Sequence, residues 1–292
     1  MASLSSSESS SPESSSAVSS SAANVAASYY DSSDADLFYA EIWGGEDIHI
    51  GLYESNGEAI SQASERTVET LMKLAGAPPV GGCVVDLGSG YGGAARRMAA
   101  QWQVNVHAIN ISSVENSRHR ELNAKAGLAD RITVHDASFE SVPLPDGIAD
   151  VVWSQDAILH SGNRLQVMQE VSRLLKPGGV FVLTDPMASD EADPNALRPI
   201  LDRIHLADLA SPDRYQLWAD ASGLKRQDWF DRTEMLVMHY TRVREELRRR
   251  QDELAKVISL DYLNRMDVGL GHWIEGGSEG RLCWGMMRFL KA

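Results

Sequence analysis

The chain has 292 residues and 32.0 kDa and is 43% hydrophobic, enough for one large α/β domain or two modest ones around a sizeable core. Its formal charge of −14, from 41 acidic against 27 basic residues, argues against a sequence-independent nucleic-acid binder and equally against docking on an anionic membrane, both of which need surplus Lys and Arg. No apolar run approaches the roughly 18–20 residues of a membrane span, and Cys83 and Cys283 form no paired-cysteine zinc motif and point away from a disulfide framework, so a soluble, cytoplasmic enzyme or binding domain without a metal is expected.

Thirteen of the first twenty-two residues are serine. Such a stretch cannot bury enough apolar surface to offset its ordering entropy, so residues 1–27 read as a disordered, solvated tail. Its lack of arginine and its acids weigh against a transit peptide, so a solvated tail is the expectation. Residues 1–65 contain eleven acids and no Lys or Arg, and thus carry −11 of the −14. From residue 28 the composition changes: Tyr29, Tyr30, Phe38, Tyr39, Ile42, Trp43, Ile48, Ile50 and Tyr53 are too apolar for a tail and too irregular for one helix. Residues 28–60 are therefore expected to form an ordered cap over a neighbouring domain.

A helix is predicted over 61–76, capped by Ser61 or Ser64 and stopped by Gly76 and Pro78-Pro79. Strands at 83–87, 104–109, 132–134, 149–153 and 180–184 then alternate with helices at 94–102, 114–126 and 165–175. Near-continuous apolar strands between amphipathic helices predict a doubly wound α/β domain with a parallel sheet covered on both faces. Beyond Asp185 the pattern is mostly helical over 190–280, with helices at 197–209, 215–221 and 235–258 and a strand at 224–230. A final strand follows at 282–290. The run Arg248-Arg249-Arg250, among acids on a helix, reads as a solvated, ion-paired face.

The most informative stretch is Val84-Val85-Asp86-Leu87-Gly88-Ser89-Gly90-Tyr91-Gly92-Gly93, a strand, a glycine loop and a helix start. Glycines there let the backbone approach a ligand beside unpaired helix N–H groups. Gly88, Gly90 and Gly93 fit a dinucleotide fingerprint, but Asp86 would repel a pyrophosphate. It suits instead a cofactor with an amino-acid moiety, whose ammonium it can serve. S-adenosylmethionine is such a cofactor. At the end of the second strand, where a ribose diol is gripped, stands Asn110 rather than an acid, so a charge-assisted bond is lost there.

Together Asp86-Leu87-Gly88-Ser89-Gly90-Tyr91-Gly92, Asp150-Val151-Val152, His160 and Leu175-Lys176-Pro177-Gly178-Gly179 resemble the class I S-adenosylmethionine-dependent methyltransferases. Tyr29-Tyr30-Asp31-Ser32, the run from Trp43-Gly44-Gly45-Glu46-Asp47-Ile48-His49 to Tyr53, and His272-Trp273-Ile274-Glu275-Gly276-Gly277 are similar to the sarcosine/dimethylglycine N-methyltransferases, which make glycine betaine. The resemblance covers residues 28–292. It implies a Rossmann-like methyltransferase sheet with an N-terminal cap and a helical, acceptor-side insertion before the last strand.

The same resemblance places the methionine part of the cofactor against Asp86, Gly88 and Gly90, closed over by Tyr30 and Trp43. It places the ribose at Asn110 and Ile111, and adenine at Ala137, Ser138 and Phe139, with Ser138 where the family has an acid. Gln155 follows the fourth strand on the cofactor side. His160 is the candidate to position the amine or relay its proton, and Arg203 to hold the acceptor carboxylate. Asp185, in Thr184-Asp185-Pro186-Met187, joins them at the catalytic centre. For Arg203 the competing reading is an ion pair with Asp202 or Asp208. Trp43, Trp153, Tyr30 and Trp284 are aromatic candidates for holding cationic groups. The substrate expected is a small amine, sarcosine or dimethylglycine. A phosphoethanolamine or tocopherol acceptor, or a non-catalytic cofactor-binding protein, is the alternative, and the acidity of residues 1–65 is read as disfavouring a phosphate-bearing acceptor.

Overall fold

The computed structural model describes residues 33–43 and 46–292, so the expected tail and Tyr30 lie outside the described residues. Seven strands form one sheet: β1 (Cys83–Leu87), β2 (Asn105–Asn110), β3 (Ile132–Asp136), β4 (Ala149–Gln155), β5 (Leu175–Ala188), β6 (Leu224–Asp231) and β7 (Leu282–Lys291). Their order is β3-β2-β1-β4-β5-β7-β6. The first five run parallel, but β7 enters antiparallel between β5 and β6. The parallel sheet expected from the alternating strands is thus present in β1–β5, and β7 and β6, whose direction the sequence did not indicate, make the whole a mixed one. An apolar strand buried on both faces has the same pattern in either direction, so composition could not reveal this.

The helices are α1 (Ser33–Phe38), continued by a wider turn at Tyr39–Trp43, α2 (Ile60–Ala75), α3 (Gly93–Trp102), α4 (Ser113–Lys125), α5 (Arg164–Leu174), α6 (Arg198–Arg203), α7 (Pro212–Ala221), α8 (Thr233–Arg249), α9 (Gln251–Leu254) and α10 (Leu260–Ser278). Strand alternation divides β1 between two cores. Val85 and Leu87 pack with Val167 and Val171 of α5 and Tyr215 of α7, while Val84 packs with Val68 and Leu71 of α2 and Met98 of α3. Asp150 accepts from the Cys83 amide at 2.8 Å and pairs with Lys176 at 2.7 Å. These two residues of the resemblance clamp the strand starts, at the opposite end of the sheet from the cofactor loop.

The acceptor-side region departs most from its expected elements. The helix predicted over 235–258 breaks at Arg250, whose backbone leaves helical geometry at φ −103, ψ 11. The helix predicted over 197–209 stops at Arg203, two residues before His205 takes a φ of 55. The 19-residue α10 is the longest helix among the described residues, yet Gly269, Gly271, Gly276 and Gly277 lower its helix propensity. Packing explains the glycines: a Cβ at 276 would press on Leu282 and one at 277 on Val237 and Leu236. Helix α2 starts at Ile60 with no side-chain cap; Ser64, an expected cap, donates instead to the His49 carbonyl at 3.1 Å.

The acidity of the N-terminal segment is largely spent inside the molecule. Of the eight acids described between 33 and 65, six pair with arginines. Asp36 meets Arg118, Glu41 Arg250, Glu46 Arg96, Glu54 and Glu58 Arg66, and Glu65 Arg97. The charge asymmetry is thus a docking pattern between cap and body, not a field directed at incoming phosphate. Apolar contacts complete the docking, with Phe38, Tyr39, Ile42 and Trp43 packed against Val243, Leu263, Met266 and Leu270. Among the described residues no helix is long and apolar enough to cross a membrane.

Candidate active site

Three connected cavities lie at the carboxyl ends of the strands, and Ile48 of the cap lines all of them. That is where a parallel α/β sheet presents its binding groups.

The first, of about 340 Å³, is bounded by the glycine loop, the start of α3 and cap residues 46–49. The loop turns back over β2: the Gly88 and Ser89 amides donate to the Ile109 carbonyl at 2.8 and 3.2 Å. Gly88 holds φ +78 against Ala157, leaving no space for a Cβ. Asp86 is 3% exposed, and burial pushes its carboxyl up to about 7, against the pull of the nearby His49. Two buried polar atoms in this lining, Ser89 Oγ and Gln155 Nε2, have no hydrogen-bond partner, and a third, His49 Nε2, has only the ion-pair contact of Asp47 Oδ1 at 3.8 Å. Unpaired buried polar atoms are costly, so their convergence marks a place built for a polar ligand.

The second cavity, about 750 Å³ with its open mouth, is walled by Gly88, Gly90, Asn110, Ile111, Ala137, Ser138, Phe139 and Gln155, all expected from sequence. The acid absent at position 110 is supplied by Glu115, whose Oε2 accepts from Asn110 Nδ2 at 2.9 Å. Its signal was present as a capping box, Ser112 with Glu115, whose amide donates to the Ser112 hydroxyl. Glu140, 7% exposed, brings the carboxylate missing at Ser138 and accepts from Ser161 Oγ at 2.6 Å and the Asn163 amide at 3.1 Å. The two cavities fit S-adenosylmethionine. Asp86 suits its ammonium, Asn110 and Glu115 a ribose diol, and Ala137, Ser138 and Phe139 a flat base.

The third cavity, about 590 Å³, is lined by Tyr39, Trp43, Tyr240 and Trp273 together with Arg203, His160 and Asp156. Trp43 therefore lines this cavity and not the one at the glycine loop, where it was expected. Trp273 and Tyr240 lie 5.2 Å apart between ring centres, as do Trp43 and Tyr39 at 5.1 Å. Arg203 is not paired with Asp202 or Asp208: the first lies beside Arg198, and the second is taken by Arg164 and Arg214. Its Nη2 rests on Met266 Sδ at 2.8 Å, and its shaft occupies the notch left by Gly269, where a Cβ would overlap Nε.

Asp156 and His160 line both the second and third cavities. Asp156 has a left-handed φ of 48, rare for a non-glycine residue. Its carboxylate is held by the Ile50 amide at 2.7 Å and Trp284 Nε1 at 2.8 Å. Burial pulls the His160 imidazole down to about 4, aided by the charge of Arg164, so it is neutral near pH 7. Asp185 lines none of the three cavities. Buried at 1% and pushed up to about 7 by burial, it accepts from Tyr215 Oη at 2.7 Å and the Leu159 amide at 3.2 Å. It thereby fixes the turn that delivers His160. Trp284 is likewise fully buried and acts on Asp156, and Trp153 donates to Gln155 Oε1 at 3.0 Å. The aromatic acceptor wall was missed at Tyr39, Tyr240 and Trp273, whose sequence spacing gives no sign that they meet.

Residues 85–183 match the family model of a methyltransferase domain. The chain is 64% identical to dimethylglycine N-methyltransferase of Parasynechococcus marenigrum, over 91% of this chain and 95% of that one. It is 48% identical to the sarcosine/dimethylglycine N-methyltransferase of Aphanothece halophytica, over 90% and 95% respectively. A crystal structure from Galdieria sulphuraria, provisionally called a sarcosine dimethylglycine methyltransferase, superposes with a TM-score of 0.86 at 45% identity, covering 90% of this chain and 99% of that one. With identity of this degree over about nine tenths of its length, the chain belongs to the sarcosine/dimethylglycine N-methyltransferase family.

Proposed function

We propose that this protein transfers a methyl group from S-adenosylmethionine to the nitrogen of sarcosine and of dimethylglycine, ending in glycine betaine. The observation that carries this reading is the third cavity, where one arginine with no carboxylate partner among the described residues stands within an aromatic enclosure. Arg203 serves the acceptor carboxylate by paired hydrogen bonds. Tyr39, Trp43, Tyr240 and Trp273 favour a methylated ammonium by cation–π attraction, each contact contributing roughly 0.5–2 kcal/mol. A single cation in the lining is poorly suited to a phosphate-bearing acceptor.

S-adenosylmethionine supplies an electrophilic methyl group when bound. The chain's own contribution is to align the amine, exclude water and keep the nitrogen lone pair available. His160, neutral near pH 7, accepts a hydrogen bond and orients the amine. So low a pKa favours positioning the amine over relaying its proton. The Asp156 carboxylate, fixed between both cavities, balances the positive charge of the arriving amine. Residues 28–292 are read as one catalytic unit, placed in the cytoplasm.

Incubation with labelled cofactor and glycine, sarcosine or dimethylglycine tests the reading. Label should appear in betaine from both methylated acceptors. Transfer to phosphoethanolamine with none to the amino acids would overturn it.

A further inference from the structure

The cavity at the glycine loop has an unbalanced lining. Its acids are Glu46, Asp47 and Asp86, and neither Lys nor Arg reaches it. An amino-acid moiety lodged there brings a carboxylate as well as an ammonium. His49 is the one side chain of this lining able to carry positive charge, and it is 6% exposed. The cap fixes its backbone: the His49 carbonyl accepts from Trp43 Nε1 at 3.3 Å and Ser64 Oγ at 3.1 Å. The ring's Nδ1 faces the Ile50 carbonyl at 3.3 Å. Nε2 is buried with no hydrogen-bond partner and stands 3.8 Å from Asp47 Oδ1. The same lining holds two further unpartnered buried atoms, Ser89 Oγ and Gln155 Nε2. Two unpartnered donors and an imidazole Nε2 held only by a loose ion pair with Asp47 thus share a cavity in which Asp86 suits only the ammonium.

We propose that protonated His49 is the counter-ion of the cofactor's α-carboxylate, with Ser89 and Gln155 completing the donor set. The inference rests on the methionine portion lying in this cavity.

The charges around the ring support a cation. Burial alone would lower the imidazole's pKa, but Asp47 on the same segment and Asp156 at the end of β4 outweigh it, and the net direction is upward. Asp86 faces it from β1 and adds to this attraction. His239 of α8 is held down to about 3 by burial and stays neutral. Arg96 and Arg97 of α3 act on Asp47, pairing with Glu46, and with Glu65 and Glu69.

Calorimetric titration of the full chain with S-adenosylmethionine and with decarboxylated S-adenosylmethionine tests this. The second ligand keeps the ammonium and the sulfonium but lacks the carboxylate. The wild type should prefer the carboxylated ligand by roughly ten- to a hundredfold, the range of hydrogen bonds to charged groups. That preference should shrink as pH rises and His49 loses its proton, while titration of Asp86 changes both affinities together. His49→Gln should weaken the carboxylated ligand alone and remove the preference. Equal weakening of both ligands, or an unaltered preference, overturns the proposal. Should the variant not fold, a wild-type preference that does not fall as pH rises above the ordinary imidazole range overturns it as well. Asp86→Asn distinguishes the two levels of the inference. If it alters neither affinity, the placement of the methionine portion has failed; if it weakens both while His49→Gln does nothing, only the His49 assignment has failed.

Discussion

The cofactor side and the acceptor side of this site meet at Ile48, Asp156 and His160 but are built by different means. The cofactor side is lined by strand ends and the glycine loop, at residues 86–90, 110–112 and 137–140. The acceptor side gathers residues from the cap, from the segment after β4, from α6, from α8 and from α10. A wall of loops at strand ends is set by local chain geometry. A wall drawn from distant elements depends on their docking correctly, so on the proposed reading methyl donor and methyl acceptor meet parts of the molecule that can vary separately.

The substitution expected to do most damage attacks the place where the two sides touch. In Gly88→Ala the new Cβ would overlap Ala157 at a φ of +78, displacing the 156–160 segment that faces both cavities. Strain of about 1–3 kcal/mol at the loop adds to the displacement, and cofactor affinity and acceptor kcat/KM should each fall about a hundredfold or more. Gly90→Ala should be milder, because its Cβ meets only Ile48 at 3.5 Å. Calorimetry and steady-state rates on both variants decide this, and equal damage from the two would show that the contact with Ala157 does not matter.

Arg203→Ala should then separate the two sides. Loss of a charged hydrogen-bond donor costs about 1.5–3 kcal/mol, a ten- to hundredfold rise in the acceptor's KM with the cofactor's affinity unchanged. Gly269→Ala should act in the same direction, since its Cβ overlaps the Arg203 guanidinium and shaft. A comparable loss of cofactor affinity in either variant would mean that the sides are not independent.

The same division governs what could be read in the sequence. Gly88 and Gly90 are legible from loop chemistry, which is local, and Asn110 from its place at a strand end; Ile111, Ala137, Ser138, Phe139 and Gln155 follow from the resemblance, and all eight line one cavity. Glu115 was overlooked although its capping box was legible. Tyr39, Tyr240 and Trp273 could not be found by spacing, since they lie on three elements joined only by tertiary packing. Arg203 was named through the resemblance, but its freedom from Asp202 and Asp208 depends on Arg198, Arg164 and Arg214 occupying those acids. Asp185 enters the catalytic set only through the resemblance of Thr184-Asp185-Pro186-Met187; its buried side chain accepts a hydrogen bond from Tyr215 and lines none of the three cavities. The antiparallel insertion of β7 left no trace in its own composition.

A pH series probes the cofactor side alone. With its carboxyl pushed up to about 7, Asp86 keeps its proton in the unliganded fold over a range where the unfolded chain, near 3.9, has already lost it. As pH rises through that window the unliganded protein should lose stability, with Asp185, also about 7, adding to the slope. Cofactor affinity has the opposite sign, because the ligand's ammonium requires the ionised form. Affinity should fall as pH drops below about 7, by at most about tenfold per pH unit from this group. Asp86→Asn should flatten that limb of the calorimetric series; a limb that persists would assign it to another group.

The weakest expected effect concerns how the acceptor wall is held in place. Tyr39 and Trp43 flank Glu41, which meets Arg250 at 2.7 Å at the break between α8 and α9. The Arg250 guanidinium also donates to the Glu41 carbonyl at 2.7 Å, so the acid is tied by both backbone and side chain. Pairs this exposed contribute about 0.2–1 kcal/mol and are screened by salt. Glu41→Gln keeps the carbonyl contact and removes only the charge. It should raise the acceptor's KM by about two- to fivefold at low ionic strength and leave cofactor affinity unchanged. The difference from wild type should vanish in molar salt, where the Debye length is about 3 Å. Persistence of the difference at high salt would show that Glu41 acts through its shape and not its charge. A fall in cofactor affinity would show that the cap serves both sides, which the confinement of Tyr39 and Trp43 to the acceptor cavity argues against.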